Sequence, residues 1–298
     1  MRIILFSLLS LTTLASYSAF GDSDNDDDIT FEDGFYASVA LGANWGLANW
    51  DGTNSMSSFY DDNFDKLNLF EVSTPTGEGS DDAKIIGSAG LGYQLVGNLL
   101  YLGVQISGTF SDTRNFNDNE NNSYSTKGFF PYDNVTITGT KHTQSTATLG
   151  DSELDLDLKP GILLLDNFLI YGRAGVVFSE LKINSTGEWS QITELSGTSP
   201  IFVELETMDS SSNSENVVGF RVGVGLEYLV TEALGVSLDY IFTDYGDIST
   251  VTEGKITGNP ADSPIPPVAD LNHIHGLYAP EVSVTTHAVM AGLVYHLD

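Results

Sequence analysis

The sequence predicts an all-β protein, an antiparallel up-and-down barrel that spans a membrane, and three observations lead to this prediction. The chain begins with Arg2 and a mostly apolar run over residues 3–14, which is typical of a secretory signal peptide. The rest of the chain carries no second apolar run of the length that a spanning helix needs. Residues 284–297 alternate apolar with smaller or polar side chains, the period of a β-strand. An exported chain without a spanning helix can cross a bilayer only as a closed barrel.

Three segments follow from this pattern. Residues 1–21 are predicted to be a signal peptide, residues 22–33 an acidic disordered tail, and residues 34–298 the barrel. The acidic run that starts at Asp22 resembles a calcium loop only superficially, because Asp27 stands where the EF-hand pattern needs glycine. A solvated tail is therefore the expectation.

Eight segments of 10 to 14 residues alternate, long enough for the roughly 9 to 11 residues that a tilted strand needs to cross the hydrocarbon. They are residues 35–45, 85–95, 100–110, 154–164, 169–179, 218–229, 234–243 and 284–297. Links after the second, fourth and sixth segments are short. The other links, near residues 46–82, 111–150, 184–215 and 246–281, are long. Short periplasmic turns alternating with long extracellular loops are typical of outer-membrane barrels.

Two features leave the strand count open. Residues 135–148 and 201–207 also have a strand-like composition and could extend a strand above the membrane or add a hairpin, which would make ten strands. Pro160 lies inside the fourth segment, where it removes a ladder hydrogen bond. A β-bulge at Pro160 is the simplest accommodation.

Composition excludes several classes of function. The chain has 41 acids against 11 bases and a formal net charge of -30, so it repels polyanions, and nucleic acid is not expected as a partner. It contains no cysteine, which excludes disulfides, thiolate metal sites and a cysteine nucleophile.

Several motifs resemble a known family. Three motifs are similar to the sixth and seventh strands of outer membrane protein A and its relatives. They are Gly-Leu-Glu-Tyr at residues 225–228, Leu-Asp-Tyr at 238–240 and Thr-Asp-Tyr-Gly at 243–246. Lys-Pro-Gly at 159–161 and Ile-Tyr-Gly-Arg at 170–173 resemble the fourth and fifth strands. The likeness is specific only over residues 154–182 and 217–248. The chain resembles most the barrel-only surface antigens of bacterial outer membranes, without an appended peptidoglycan-binding domain.

The resemblance implies an ion-pair cluster in the lumen that blocks or gates the barrel. Lys159, Arg173, Glu227 and Asp239 match the positions that supply this cluster in the family, and Arg221 shares the inward parity of Glu227. Counting from the shared turns, we expect Arg173 to pair with Glu227 and Lys159 to reach Asp239. Ser237 stands where the family often has an arginine, which leaves the pairing pattern open.

No catalytic, cofactor or metal site is predicted. His273 and His275 make at most half a zinc site. His287 and His296 fit strand positions at the membrane interface, and no spacing joins them to a serine and an acid as nucleophile and orienting group.

The sequence thus predicts a non-enzymatic protein of the bacterial outer membrane with a structural, surface-exposed role and at most a narrow gated pore. A general porin or small-ligand channel is the alternative, and a lipid-modifying barrel enzyme is the third hypothesis. Outer-membrane lipid and lipopolysaccharide are expected partners, and host or surface ligands could bind the loops. The acidic loops could hold divalent cations or could remain solvated by mutual repulsion; their acids include Asp61, Asp62, Asp65, Asp81, Asp82, Asp118 and Glu120.

Overall fold

The computed structural model describes residues 29–59, 67–73, 77–128, 135–195, 201–203, 209–249, 252–256 and 273–297. Within these ranges, no helix has the length and apolar character needed to cross a membrane. The signal peptide and most of the predicted tail lie outside the described residues.

The described residues form thirteen strands in one antiparallel sheet. They are β1 (Gly34–Phe59), β2 (Leu67–Ser73), β3 (Gly77–Val96), β4 (Leu100–Ser111), β5 (Arg114–Gly128), β6 (Val135–Leu149), β7 (Ser152–Leu165), β8 (Phe168–Leu195), β9 (Ile201–Val203), β10 (Asp209–Leu229), β11 (Leu234–Ser249), β12 (Thr252–Ile256) and β13 (His273–Leu297).

Eight of these strands close a barrel in the order β1, β3, β4, β7, β8, β10, β11 and β13, with β13 pairing back onto β1. Each contains one of the eight predicted segments, so the eight-stranded barrel is confirmed and the alternative of ten strands is wrong. Residues 135–149 form β6, which continues β7 along the same edge of β8 and adds no strand to the barrel wall.

The alternation places apolar side chains on the outside of the barrel, as predicted for a wall that faces lipid. Leu91, Val104, Leu156, Val224 and Leu293 are examples, with between 46% and 61% of their surface exposed. The intervening side chains point inward and are buried because the lumen of an eight-stranded barrel is only wide enough to be filled by side chains.

Above this apolar belt the barrel separates into two sheets. The ladder between β10 and β11 ends at the pair Phe220–Asp244, and the ladder between β3 and β4 ends at Ile86–Ser111. Beyond these points β11, β12, β13, β1, β2 and β3 remain paired with one another, and β5, β6, β8, β9 and β10 form a second paired set. We call them the first and second extramembrane sheets.

The two sheets enclose an apolar core, as in a β-sandwich. The first sheet contributes Ala48, Trp50, Tyr245, Ile248, Val282 and Val284, and the second contributes Phe116, Ala147, Leu149, Val177, Leu181, Ile183 and Val217. The hydrophobic pattern therefore inverts at the membrane boundary: on β8, Phe178 faces outward below it, whereas Leu181 and Ile183 face inward above it.

The long links are therefore not irregular loops over much of their length, which corrects the sequence prediction. Strands β1, β8, β10, β11 and β13 continue well past the lipid belt, and β2, β5, β6, β9 and β12 occupy further parts of the same links. Backbone pairing continues there because these segments still alternate, now with polar residues outside and apolar residues inside.

The bulge predicted at Pro160 is wrong. Pro160 is paired with Leu102 of β4, and the ladder between β7 and β8 resumes at Gly161 in the register that it had at Leu158. That ladder skips Lys159 and Pro160, so the missing N–H of proline is accommodated by a local gap. The register shift lies further along, between Leu163 and Leu165.

Residues 29–33, which were expected in the disordered tail, lie against the short-turn end of the barrel. The Phe31 N–H donates to the carbonyl of Asp166 at 3.3 Å. The side chain of Phe31 is buried and packs with Tyr101, Leu163, Leu169, Tyr171 and Leu229. An aromatic residue followed by two acids thus closes the lower end of the lumen.

Candidate functional site

The interior of the barrel holds a network of charged side chains, which the two-residue period of the strands aims inward. On β7 every second residue from Glu153 to Lys159 is buried. Arg173, Arg221, Glu227 and Asp239 point into the same space from β8, β10 and β11, with side chains at most 9% exposed. All five residues predicted for the lumenal network therefore lie inside the barrel.

Arg221 is paired with the acids of β7. Its Nη1 lies 2.7 Å from Asp155 Oδ2 and 3.8 Å from Asp157 Oδ2, and its Nη2 lies 3.9 Å from Glu153 Oε2. Thr109 donates a hydrogen bond of 2.7 Å to the same Oδ2 of Asp155. Arg221 thereby connects β10 to β7 across the bore, because β8 lies between them in the wall.

Arg173 does not take the partner expected from the sequence. Its Nε lies 3.3 Å from Asp157 Oδ2, and its Nη1 lies 3.9 Å from Asp239 Oδ1. The expected partner, Glu227, is placed elsewhere by register: Arg173 is opposite Gly223, and Glu227 is opposite Leu169. The expected pairing of Arg173 with Glu227 is therefore wrong, because Glu227 lies four residues along β10 from Gly223, the residue that is level with Arg173.

Lys159 lies between two aromatic rings. Its Nζ is 4.9 Å from the ring centre of Tyr171 and 5.4 Å from that of Tyr36, distances that suit cation–π attraction. Asp239, its expected partner, accepts a hydrogen bond of 2.8 Å from the hydroxyl of Tyr171 and faces Arg173. Lys159 and Asp239 thus share Tyr171 as a neighbour in place of the direct pair that was expected.

Glu227 belongs to a second group of contacts near the short-turn end. His296 Nε2 lies 2.9 Å from Glu227 Oε1, and His296 Nδ1 lies 3.0 Å from Gln94 Nε2. Gln94 Nε2 also donates to the carbonyl of Glu32 at 2.7 Å, and the ring of Phe31 meets that of His296 edge to face at 5.7 Å. The N-terminal segment is therefore attached to the network through Gln94 and His296.

Two tyrosines fill the space left by glycines on neighbouring strands. A Cβ added to Gly92 would lie 2.3 Å from Cζ of Tyr36, and one added to Gly225 would lie 2.4 Å from Cζ of Tyr171. No side chain fits at that distance, so these glycines allow the rings to lie flat against the wall. The rings in turn flank Lys159.

Together these contacts divide the lumen into three layers. Phe31 and its apolar neighbours occupy the short-turn end. The charged network fills the middle, beside a small cluster of Ile86, Ile241, Ala288 and Met290. The sandwich core fills the extramembrane end. Such an arrangement can seal and stabilise a barrel.

His287 lies on the outside of the barrel. Its ring stacks on Trp45 at a centre-to-centre distance of 5.7 Å, and its Nδ1 lies 2.8 Å from the hydroxyl of Tyr240. Phe242 packs against it at 5.2 Å. These aromatic side chains at the upper edge of the lipid belt match the interfacial position expected for His287. The two histidines considered as catalytic candidates thus lie on opposite sides of the wall.

Several predicted residues are only partly described. Asp61, Asp62 and Asp65 lie outside the described residues, and for His273, His275, Asp81, Asp118 and Glu120 the description covers the backbone alone. Asp82 is exposed. Where the side chains are described, no group of three or more histidines and acids is placed to hold a metal ion.

The sequence prediction missed Glu153, Arg114 and Phe31 as interior residues. Glu153 shares its parity with Asp155, so the alternation could have identified it. Arg114 is 1% exposed and lies in β5, close enough to Glu153 for its charge to act on that carboxylate. The sequence pattern places Arg114 in a long link, where no local signal distinguishes a buried arginine from a solvated one.

Comparisons with known proteins agree with this architecture. A family model described as the outer membrane protein beta-barrel domain matches residues 5–260. No curated protein matches the chain in sequence.

Several solved structures of outer-membrane proteins are similar to this chain at low identity. Ail, the attachment invasion locus protein of Yersinia pestis, is 11% identical with a TM-score of 0.27, over 89% of this chain and 100% of Ail. OprG from Pseudomonas aeruginosa is 12% identical with a TM-score of 0.32, over 91% and 100%. The outer membrane protease OmpT from Escherichia coli is 11% identical with a TM-score of 0.27, over 91% and 99%. TM-scores this low establish neither a shared fold nor a shared function, so the family assignment rests on the family model.

Proposed function

Because the chain belongs to the family of outer membrane protein β-barrel domains, we propose that it is a non-conducting structural protein of the bacterial outer membrane that presents a β-sandwich on the cell surface. The observation that carries this proposal is the filling of the lumen by three successive layers of side chains. A solute would have to displace a buried apolar core at each end and a charged network between them.

The orientation follows from the two ends of the barrel. The short turns lie at one end together with residues 29–33, and the strands extend far beyond the lipid belt at the other end. Bacterial outer-membrane barrels place short turns in the periplasm and long connections outside. The sandwich is therefore assigned to the cell surface, where host or surface ligands are candidate partners.

Single-channel recording in planar bilayers tests the closed lumen. The proposal expects no steady conductance step after the folded protein is inserted, with protease digestion of the exposed sandwich used to verify insertion. Reproducible ohmic steps from inserted protein would favour the porin alternative.

The enzymatic alternative has a separate test. His296 is enclosed by Glu227, Gln94 and Phe31, and His287 by Trp45, Tyr240 and Phe242, environments that fit structural roles. Purified protein incubated with glycolipid and phospholipid should release no fatty acid. Turnover that is lost in the variant His287→Gln, but not in His142→Gln on β6 of the second extramembrane sheet, would support a lipid-modifying enzyme.

A further inference from the structure

The outward faces of the two extramembrane sheets differ in charge. The first sheet turns acidic side chains outward, among them Asp51, Asp244, Asp247 and Glu281. Among the side chains that are described on the second sheet, one acid, Glu180, and one base, Lys182, point outward among small polar residues. Those polar residues are Asn115, Asn117, Gln144, Thr146, Thr148, Asn184, Thr186, Ser212, Ser214 and Asn216. Two further acids, Asp112 and Asp151, lie at the lower border of this second face.

Four polar side chains of the second face form two hydrogen-bonded pairs. Thr146 Oγ1 donates to Asn117 Oδ1 at 2.9 Å, and Thr148 Oγ1 donates to Asn115 Oδ1 at 2.9 Å. Each pair is directly opposite in the ladder between β5 and β6. Because the amide oxygens are used in these bonds, the amide N–H groups of both asparagines and the lone pairs of both threonines remain oriented for a ligand.

This face is continuous with the surface that contacts lipid. Directly below it, Phe110, Leu154, Phe178 and Val218 are exposed by 45% to 63%. On β8 the change from Phe178 to Glu180 takes two residues, roughly 7 Å of strand. The polar face therefore begins where the acyl chains of the surrounding lipid end and their headgroups start.

We propose that the outward face of the second extramembrane sheet binds the neutral saccharide of the glycolipid whose acyl chains surround the barrel. Hydroxyl groups of sugars are both donors and acceptors, which matches paired amides and hydroxyls. The acids at the lower border disfavour direct binding of glycolipid phosphates by the same face. The inference rests on the proposed orientation, because glycolipid headgroups of this kind occupy the outer leaflet.

The test compares three lipids in nanodiscs: lipid A carrying its core saccharide, lipid A alone and phosphatidylglycerol. The measured quantity is the temperature at which folded barrel converts to the unfolded form. The saccharide should raise this temperature above the value in lipid A alone. In the double variant Asn115→Asp, Asn117→Asp, which keeps the acceptor oxygens but loses the amide donors, this increment should disappear. The control Asn49→Asp, on the first sheet, should keep it.

Other occupants give other results. An equal temperature in lipid A with and without saccharide would show that the phosphates or acyl chains act, and would overturn the proposal. A doubled particle mass in detergent that is lost in the double variant would identify a second copy of the chain as the occupant, and would also overturn it. An error in the proposed orientation would be detected by a separate experiment: epitope tags inserted in the sandwich would then not be labelled on intact cells.

Discussion

Arg221 and Asp155 form a buried ion pair that joins two strands which are not neighbours in the barrel wall. The distance between Nη1 and Oδ2 is 2.7 Å, and the two side chains are 5% and 0% exposed. Each carries a charge that would be costly to leave unpaired at this depth. The pair therefore constrains the cross-section of the barrel as well as filling it.

Removal of one partner should destabilise the barrel strongly. Arg221→Met leaves Asp155 with a weakened set of donors, and the expected loss of unfolding free energy is on the order of 3–5 kcal/mol. The double variant Arg221→Met, Asp155→Asn should recover part of that loss. Urea unfolding in lipid vesicles gives the interaction energy, and additive single effects would show that the pair does not couple. The exposed Lys182→Met is the control and should change stability by less than about 1 kcal/mol.

The contact of Tyr171 with Gly225 predicts a steric effect. A methyl group at position 225 would overlap the ring, so Gly225→Ala should lower the unfolding temperature and displace Tyr171 from Lys159. The matched control is Gly172→Ala, where the nearest atom to the new Cβ is the carbonyl oxygen of Pro160 at 3.9 Å. Equal effects of the two variants would contradict the close packing inferred for Tyr171.

The lipid-facing wall predicts a dependence on depth. Val224 is 61% exposed on the outside of β10, and Val224→Arg should cost about 2–4 kcal/mol if it lies near the bilayer midplane. Ser214→Arg, on the same strand but in the extramembrane sheet, should be almost neutral because water solvates the new charge. A larger loss of unfolding free energy in Val224→Arg than in Ser214→Arg would place the boundary between lipid and water between these two positions on β10.

The N-terminal segment should stabilise the barrel without being needed to close it. Phe31→Ala removes the aromatic ring that covers the short-turn end, so the unfolding temperature should fall. Conductance should remain at the lipid baseline, because the charged network and the sandwich core still fill the bore. Glu32→Ala serves as the control, because the side chain of Glu32 is exposed and its backbone carbonyl accepts the hydrogen bond from Gln94. A channel in Phe31→Ala would show that this segment alone seals the lumen.

Topology can be read from epitope tags. Tags inserted within residues 129–134 or 257–272 should be labelled on intact cells, because the strand ends that flank these ranges lie at the extramembrane end. Tags at Asn98 and Asn167, in the short turns, should be labelled only after the outer membrane is opened. Labelling of Asn98 on intact cells would reverse the proposed orientation.

The sequence alone identified the eight segments that cross the membrane and which of their side chains face the lumen, but it left a ten-stranded barrel open until the strand pairing was known. Both follow from the period of two, a local property that each strand displays in its own residues. Arg173, Glu227 and Asp239 could therefore be assigned to the interior before any partner was known.

Only the tertiary structure decided which of those side chains meet. Pairing depends on the register between strands, which places Arg173 opposite Gly223 and brings it within reach of Asp157 in place of Glu227. The sandwich above the membrane could not be predicted from the local sequence pattern either. Leu181 and Ile183 become core residues only because Trp50 and Val284 cover them from the other sheet. The position of Phe31 depends likewise on a cavity that exists only once distant strands have closed around it.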